Sequence, residues 1–291
     1  MGTAAPTEAP LATATKAPTR TPTATTIHPA VQDFSAALQA YMLEIINQDR
    51  QANGRNPVAW DPVADKAGRL HAQDMVEQDY FSHWNRDGLG PDHRYTLAGG
   101  THAVMENIHA FEYVYEDGRG APIEDWNWVI ENAQSGLMDS PGHRKNILDP
   151  AHTHVGVGMA YDPETGRFRL AQEFTNQYAQ LDGPLPTQAR LGESIVVRGE
   201  FIGDNLSNPL LNLAYEPFPA PLSVEELNQT STYSSAATGD ENMVDTRAIE
   251  LEFDETIVLD HHQRPGLYHL RLFVDLVTGQ TMVLDHVIEV R

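Results

Sequence analysis

The feature that most limits what this sequence can fold into is a change of hydrophobic period across one proline-rich stretch, Asp182-Gly183-Pro184-Leu185-Pro186. Before it, apolar residues recur at the 3.6-residue spacing of helices, interleaved with a few strand-like runs. After it they alternate with period two through Ser194–Arg198, Leu210–Ala214, Ala248–Phe253, Leu267–Val274 and Met282–Ile288, and no helical pattern returns. Two folded units are therefore predicted, residues 31–181 and 187–291, joined by a linker at 182–186. The chain's 291 residues accommodate both.

In the first unit, Leu38, Tyr41, Met42, Ile45 and Ile46 mark a helix stopped by Asn53-Gly54. Asp61-Pro62, an N-cap followed by a first-turn proline, opens a second helix that runs to about Gln78. Tyr80-Phe81-Ser82-His83 reads as a turn anchored by two aromatics. Residues 84–100, rich in Gly, Asp, Pro and His, read as a long surface loop. Val104–Ile108 has a strand's length but holds Glu106 inside an apolar run, and a buried carboxylate there requires a partner. Glu124–Met138 returns to helical spacing. Val155–Tyr161 and Arg167–Phe174 form a hairpin turned by Asp162–Gly166. Helices on either side of an interleaved sheet give a layered α-β-α unit. The fold class is then α+β: a three-layer α-β-α sandwich followed by an all-β, immunoglobulin-like sandwich. Between its strands, Glu225–Glu241 is polar and reads as a mobile loop.

Composition narrows the function. Nineteen basic residues stand against 41 acidic ones, a formal charge of −22 that opposes nucleic acid and anionic membrane surfaces. With no cysteine, disulfides, thiolate metal sites and cysteine nucleophiles are excluded. No run approaches the ~20 apolar residues of a spanning helix. Thr3–Thr26 is a Thr/Pro/Ala tract with only Glu8, Lys16 and Arg20 charged, so residues 1–30 are expected to be a disordered tail. Such spacers commonly stand between a secretion signal or anchor and an extracellular domain. The expectation is a secreted or cell-surface monomer, with no signal peptide visible in the sequence itself.

The chemistry gathers at Ser140-Pro141-Gly142-His143-Arg144-Lys145-Asn146-Ile147-Leu148, where Pro141 and Gly142 set His143 on a rigid turn after the preceding helix. Arg144 and Lys145 read as surface or capping cations. His93, His102 and His109 lie in polar or loop contexts and read as solvated. Trp126 and Trp128 point to different faces, so at most one meets a core.

Asn47-Gln48-Asp49-Arg50, Trp60-Asp61, His71-Ala72-Gln73-Asp74-Met75, Phe81-Ser82-His83, Glu106-Asn107-Ile108, Ser140-Pro141-Gly142-His143-Arg144, Asn146-Ile147-Leu148, Gly156-Val157-Gly158 and Gln172-Glu173-Phe174 occur in one order. In that ordered set, residues 34 to 178 resemble the bacterial branch of the CAP superfamily (cysteine-rich secretory proteins, antigen 5 and pathogenesis-related 1 proteins). The resemblance implies an α-β-α sandwich, an extracellular setting, and a cavity whose histidines match His83 and His143 and whose first acid matches Glu106. Ser140 stands where the second acid would fall, and Met105 and Leu137 replace the family's glycine and tryptophan.

His83, His143 and Glu106 as a set would take zinc or another divalent metal, leaving one coordination position open. Equally, they make a hydrogen-bonded polar cluster that stiffens the core. A Ser140–His143–Glu106 triad lacks any nucleophile-elbow context. Two function classes follow. One is a non-enzymatic extracellular module whose cavity, with His83, Glu106, Ser140 and His143, holds a small or lipid-like ligand while the β-sandwich engages a partner or cell-envelope component. The other is a metal-dependent hydrolase using His83, Glu106 and His143. The missing second carboxylate favours the first.

Overall fold

The structure, a computed structural model, describes residues 36–230 and 242–291. The expected tail at 1–30 and positions 231–241 of the expected 225–241 loop lie outside the described residues.

The first unit is built on a four-stranded sheet of β1 (Ala59–Trp60), β2 (Ala103–Glu112), β3 (His154–Asp162) and β4 (Arg167–Asn176), in the order β1-β3-β4-β2. One face carries α1 (Ala36–Ala52), α4 (Trp126–Asp139) and α5 (Pro141–Ile147). The other carries α2 (Pro62–Gln78) and α3 (Pro91–Ala98). Strand alternation assigns the faces. Val155, Val157, Met159 and Tyr161 of β3, with Phe168, Leu170 and Phe174 of β4, form one core with Met42 and Ile46 of α1 and Ile130 and Leu137 of α4. The intervening β3 positions are Gly156, Gly158 and Ala160, small because α2 lies against them. A methyl group built at Gly158 would stand 1.9 Å from the backbone nitrogen of Arg69.

Helix α2 starts as its sequence dictates: Asp61 Oδ1 accepts from the backbone N–H groups of Val63 and Ala64, and Pro62 fills the first turn. Two expectations are corrected. Residues 84–100 are not all loop, because Pro91 opens α3 and Gly99, at φ 110°, ends it. The rigid turn expected to carry His143 is the start of a helix: Pro141 sits in the first turn of α5, where its missing N–H costs nothing. Trp126 packs against the core while Trp128 is half exposed, as their spacing predicts.

The second unit has two sheets. β5 (Ala179–Leu181), β7 (Ser194–Phe201) and β10 (Glu252–Val258) pair in the order β10-β7-β5. β6 (Gln188–Ala189), β8 (Ser207–Glu216), β9 (Met243–Ala248), β11 (Gly266–Leu276) and β12 (Gly279–Val290) pair in the order β6-β12-β11-β8-β9. Val197, Phe253 and Ile257 of the smaller sheet share a core with Leu213, Leu270, Leu272 and Ile288 of the larger, which makes this a sandwich. The single strand expected at Ala248–Phe253 is two strands broken at Ile249–Leu251. Part of the expected 225–241 loop is a short helix, α6 (Val224–Gln229), closed by a Ser223–Glu226 capping box.

β5 precedes the 182–186 stretch yet hydrogen-bonds to β7 in the sandwich. The units also meet directly. The backbone N–H of Asp285 donates to Thr101 O at 3.1 Å, that of Val287 to Thr96 Oγ1 at 3.2 Å, and Asn176 Nδ2 donates to Met282 O at 3.0 Å. Among the described residues no helix is long and apolar enough to cross a membrane.

Candidate functional site

Glu106 is the centre of a buried polar cluster on the α2 face of the sheet. Alternation along β2 turns it toward α2, and its register partner on β4 is Glu173. Its Oε1 accepts from His83 Nδ1 at 2.7 Å and its Oε2 from Arg94 Nη2 at 2.6 Å. Burial alone would raise Glu106, but the Arg94 guanidinium and the hydrogen bond from His83 outweigh it and hold the carboxyl well below the usual carboxylate range. Arg94 also donates Nη1 to His83 O and Leu89 O, at 2.6 and 2.9 Å, so one guanidinium both neutralises the acid and fixes the turn that carries His83. His71 donates Nε2–H to Ser82 O at 2.9 Å, and burial, then Arg94, push it down to about 3, so it is neutral. Glu173 is fully buried beside Glu106. Burial and the neighbouring Glu106 raise it well above the carboxylate range, and it keeps its proton.

His143 arrives from the other side. It is carried by α5, whose neighbour on β2 is Asn107, one residue on from Glu106 and on the opposite face; Asn107 Nδ2 donates to His143 O at 3.3 Å. Burial, then His83, lower His143, so the two imidazoles are near enough to repel when charged. Ser140 is the hinge residue between α4 and α5, and its side chain caps neither helix.

His83, Glu106 and His143 were expected as a set to take a divalent ion, and the donor set does not fit one. Both Glu106 oxygens are engaged, and a guanidinium stands 2.6 Å from one of them, where a second cation would be repelled. Glu106 supports the ring of His83, which leaves two imidazoles, one short of the three protein ligands usual for a catalytic zinc. Sequence reasoning missed His71, Arg94 and Glu173 as members of this cluster. Strand alternation around Glu106 and Glu173 was the signal that could have found the last.

The opposite face carries a chain of buried amides. Gln134 Nε2 donates to Asp49, Gln172 Nε2 to Gln134, Asn107 Nδ2 to Gln172, and Asn146 Nδ2 to Asn107. His152 then bridges Asn146 and Asn176 at 2.9 and 2.8 Å. This network satisfies the polar residues of the Asn107, Asn146 and Gln172 motifs and ties α1, α4 and α5 to the sheet.

A cavity of about 310 Å³ opens between α2 and α3, lined by Ala67, Leu70, Leu89 and Leu97 with His71 and Arg94. Beside it the second unit covers the His83 turn: Leu227 of α6 packs with Met75, Tyr80 and Ile108, and Asn228 Oδ1 accepts the backbone N–H of Phe81 at 2.8 Å. His93, expected to be solvated, is buried at the joint between the units.

Known proteins resemble this chain over its first unit. The family model for CAP, the cysteine-rich secretory protein family, matches residues 43–174. The uncharacterized protein YkwD of Bacillus subtilis is 32% identical over 146 residues, 50% of this chain and 51% of YkwD. The uncharacterized membrane protein YlbC of the same organism is 32% identical over 125 residues, 40% of this chain and 30% of YlbC. The chain thus spans about half of one curated relative and less than a third of the other. An extracellular protein containing an SCP domain from Bacillus anthracis is 25% identical with a TM-score of 0.38, over 48% of this chain and 41% of that one. With the α-β-α layering already described, the match makes residues 43–174 a domain of the CAP superfamily.

Proposed function

We propose that the chain is a non-enzymatic extracellular binding module, its CAP domain holding a small amphiphilic or lipid-like ligand and its sandwich engaging a cell-envelope component. One observation supports this most: Glu106, the ionised acid of the cluster, has both oxygens committed to His83 and Arg94. Beside it Glu173 holds its proton, so neither carboxyl of the cluster stands free as a general base. The cavity between α2 and α3 falls at the lower end of ligand-site volumes, and its apolar wall of Ala67, Leu70, Leu89 and Leu97 beside the polar Asp74, Asn85, Arg86 and Asp87 suits an apolar body carrying a polar head. The extracellular setting rests on the CAP match and on the Thr/Pro-rich tract that precedes the domain.

A fluorescent fatty acid titrated into the full chain should bind saturably, one per chain, and weaken at least tenfold in Leu97→Asp. In parallel, peptide and ester hydrolysis should stay at background with or without chelator. Chelator-sensitive turnover that disappears in His83→Ala would replace this reading with the hydrolase.

A further inference from the structure

The joint between the two units holds a second constellation, separate from the Glu106 cluster. Asp92, in the first turn of α3, meets His269 of β11 and Asp285 of β12, and one ligand-type atom from each lies within 4.8 Å of the others. His269 Nδ1 is 3.3 Å from Asp285 Oδ1 and 3.5 Å from Asp92 Oδ2. The first is a hydrogen bond, but longer than the about 2.7–2.9 Å of a charge-assisted one, and the second is longer still. Donors held tetrahedrally at about 2.0–2.1 Å from one ion stand about 3.3–3.5 Å apart, the spacing of the two pairs that include His269, and the two carboxylate oxygens lie within 4.8 Å of each other.

The far side of each residue is held by another group. Asp92 Oδ1 accepts the backbone N–H of His93 at 2.9 Å, while its Oδ2, turned toward His269, is buried with no hydrogen-bond partner. Asp285 Oδ2 accepts from Arg271 Nε at 3.1 Å. His269 Nε2 lies 3.1 Å from Glu216 Oε2, the carboxylate–imidazole contact that orients a ligating histidine through its other nitrogen. The remaining atoms, Asp92 Oδ2, His269 Nδ1 and Asp285 Oδ1, converge. Burial would lower His269, but Asp285, Glu216 and Asp92 raise it to about 9, so without an ion the ring holds a proton that a divalent ion would have to displace. With that proton gone, three carboxylates face one guanidinium, a deficit of two positive charges that the ion makes up.

We propose that Asp92, His269 and Asp285 form a divalent transition-metal site, with zinc the ion its mixed nitrogen and oxygen donors fit, that fastens the CAP domain to the sandwich. One ligand comes from the first unit and two from the second, so the ion crosslinks them. Water completes the coordination.

The test uses the full chain, stripped with chelator and titrated with zinc alone at about pH 7.5. Calorimetry and elemental analysis should give one ion per chain, with a raised unfolding temperature. Asp92→Asn, a change on the partly exposed α3 side, should weaken binding at least tenfold and remove the thermal shift. Asp285→Asn should do the same, and circular dichroism will show whether each variant is folded. His143→Ala should bind as the unaltered chain does. No uptake by the folded protein, or uptake unchanged in folded Asp92→Asn, overturns the proposal and leaves an imidazolium–carboxylate cluster; uptake lost in His143→Ala but kept in Asp92→Asn also overturns it, by moving the ion to the CAP cavity.

Discussion

Glu106 on β2 and Glu173 on β4 stand directly opposite each other in the sheet, both buried, and only Glu106 is ionised. The cause is arithmetic of charge. One guanidinium, Arg94, lies 2.6 Å from Glu106, and two facing carboxylates with one cation between them cannot both ionise in a buried site. The result is a neutral, closed cluster: carboxylate with guanidinium, carboxylic acid, and uncharged His71.

Glu173→Gln tests the proton on Glu173. Its folded pKa is raised, so above the unfolded value of about 4.3 the unfolded chain releases a proton that the folded chain keeps. Stability then falls as pH rises, by up to about 1.4 kcal/mol per pH unit until the folded group also ionises. Glutamine mimics the protonated acid without that cost. Urea denaturation from pH 4 to 8 should find the variant at least as stable as the parent at pH 7, with the advantage gone by pH 4. A variant weaker at pH 7 than at pH 4 would mean Glu173 works as a carboxylate.

Arg94→Met should be severe. It leaves Glu106 charged and buried, a loss of about 3–5 kcal/mol, and also frees the carbonyls of His83 and Leu89. Adding Glu106→Gln should recover part of the loss. A double-mutant cycle by chemical denaturation measures this, and strict additivity would show that the pair is not coupled.

Much of the fold was legible because local signals agreed with tertiary ones. Asp61-Pro62 capped α2, Asp162–Gly166 turned the β3–β4 hairpin, and period two exposed the sandwich. The failures lie where the second unit acts on the first. Residues 84–100 read as loop because α3 is eight residues long and lacks a side-chain cap, and its burial against β12 is a tertiary effect. His93 read as solvated for the same reason. Within the candidate site, His83 and Glu106 were legible from motif order, whereas Arg94 carries no motif, and its role appears only once α3 is folded over β2.

The glycines divide by what surrounds them. A methyl at Gly158 would meet backbone atoms of Arg69 and Gly68 at 1.9 and 2.0 Å, so α2 would have to lift from the sheet. Gly158→Ala should cost about 3 kcal/mol or more. Gly142, inside α5, has nothing within 4 Å of a built methyl, and Gly142→Ala should stabilise by about 0.4–1 kcal/mol. Thermal denaturation of both variants gives the comparison. Equal effects would mean that α2 does not press on β3 as described.

His152 should make the fold acid-sensitive. It is buried, bridges Asn146 and Asn176, and stacks on Phe174 with ring centroids 5.0 Å apart. Burial is the main cause of its depression to about 4. Unfolded, it takes a proton near 6.5, so between those values the unfolded state binds more protons and stability falls with pH, by up to about 1.4 kcal/mol per unit from this residue. The loss stops below about 4, where the folded protein also protonates. Imidazole resonances followed by NMR should show His152 still neutral at pH 5.5, and the dependence of unfolding free energy on pH between 6.5 and 5 should be shallower in His152→Asn. A ring that titrates near 6.5 in the folded chain would remove this residue from the account of acid stability.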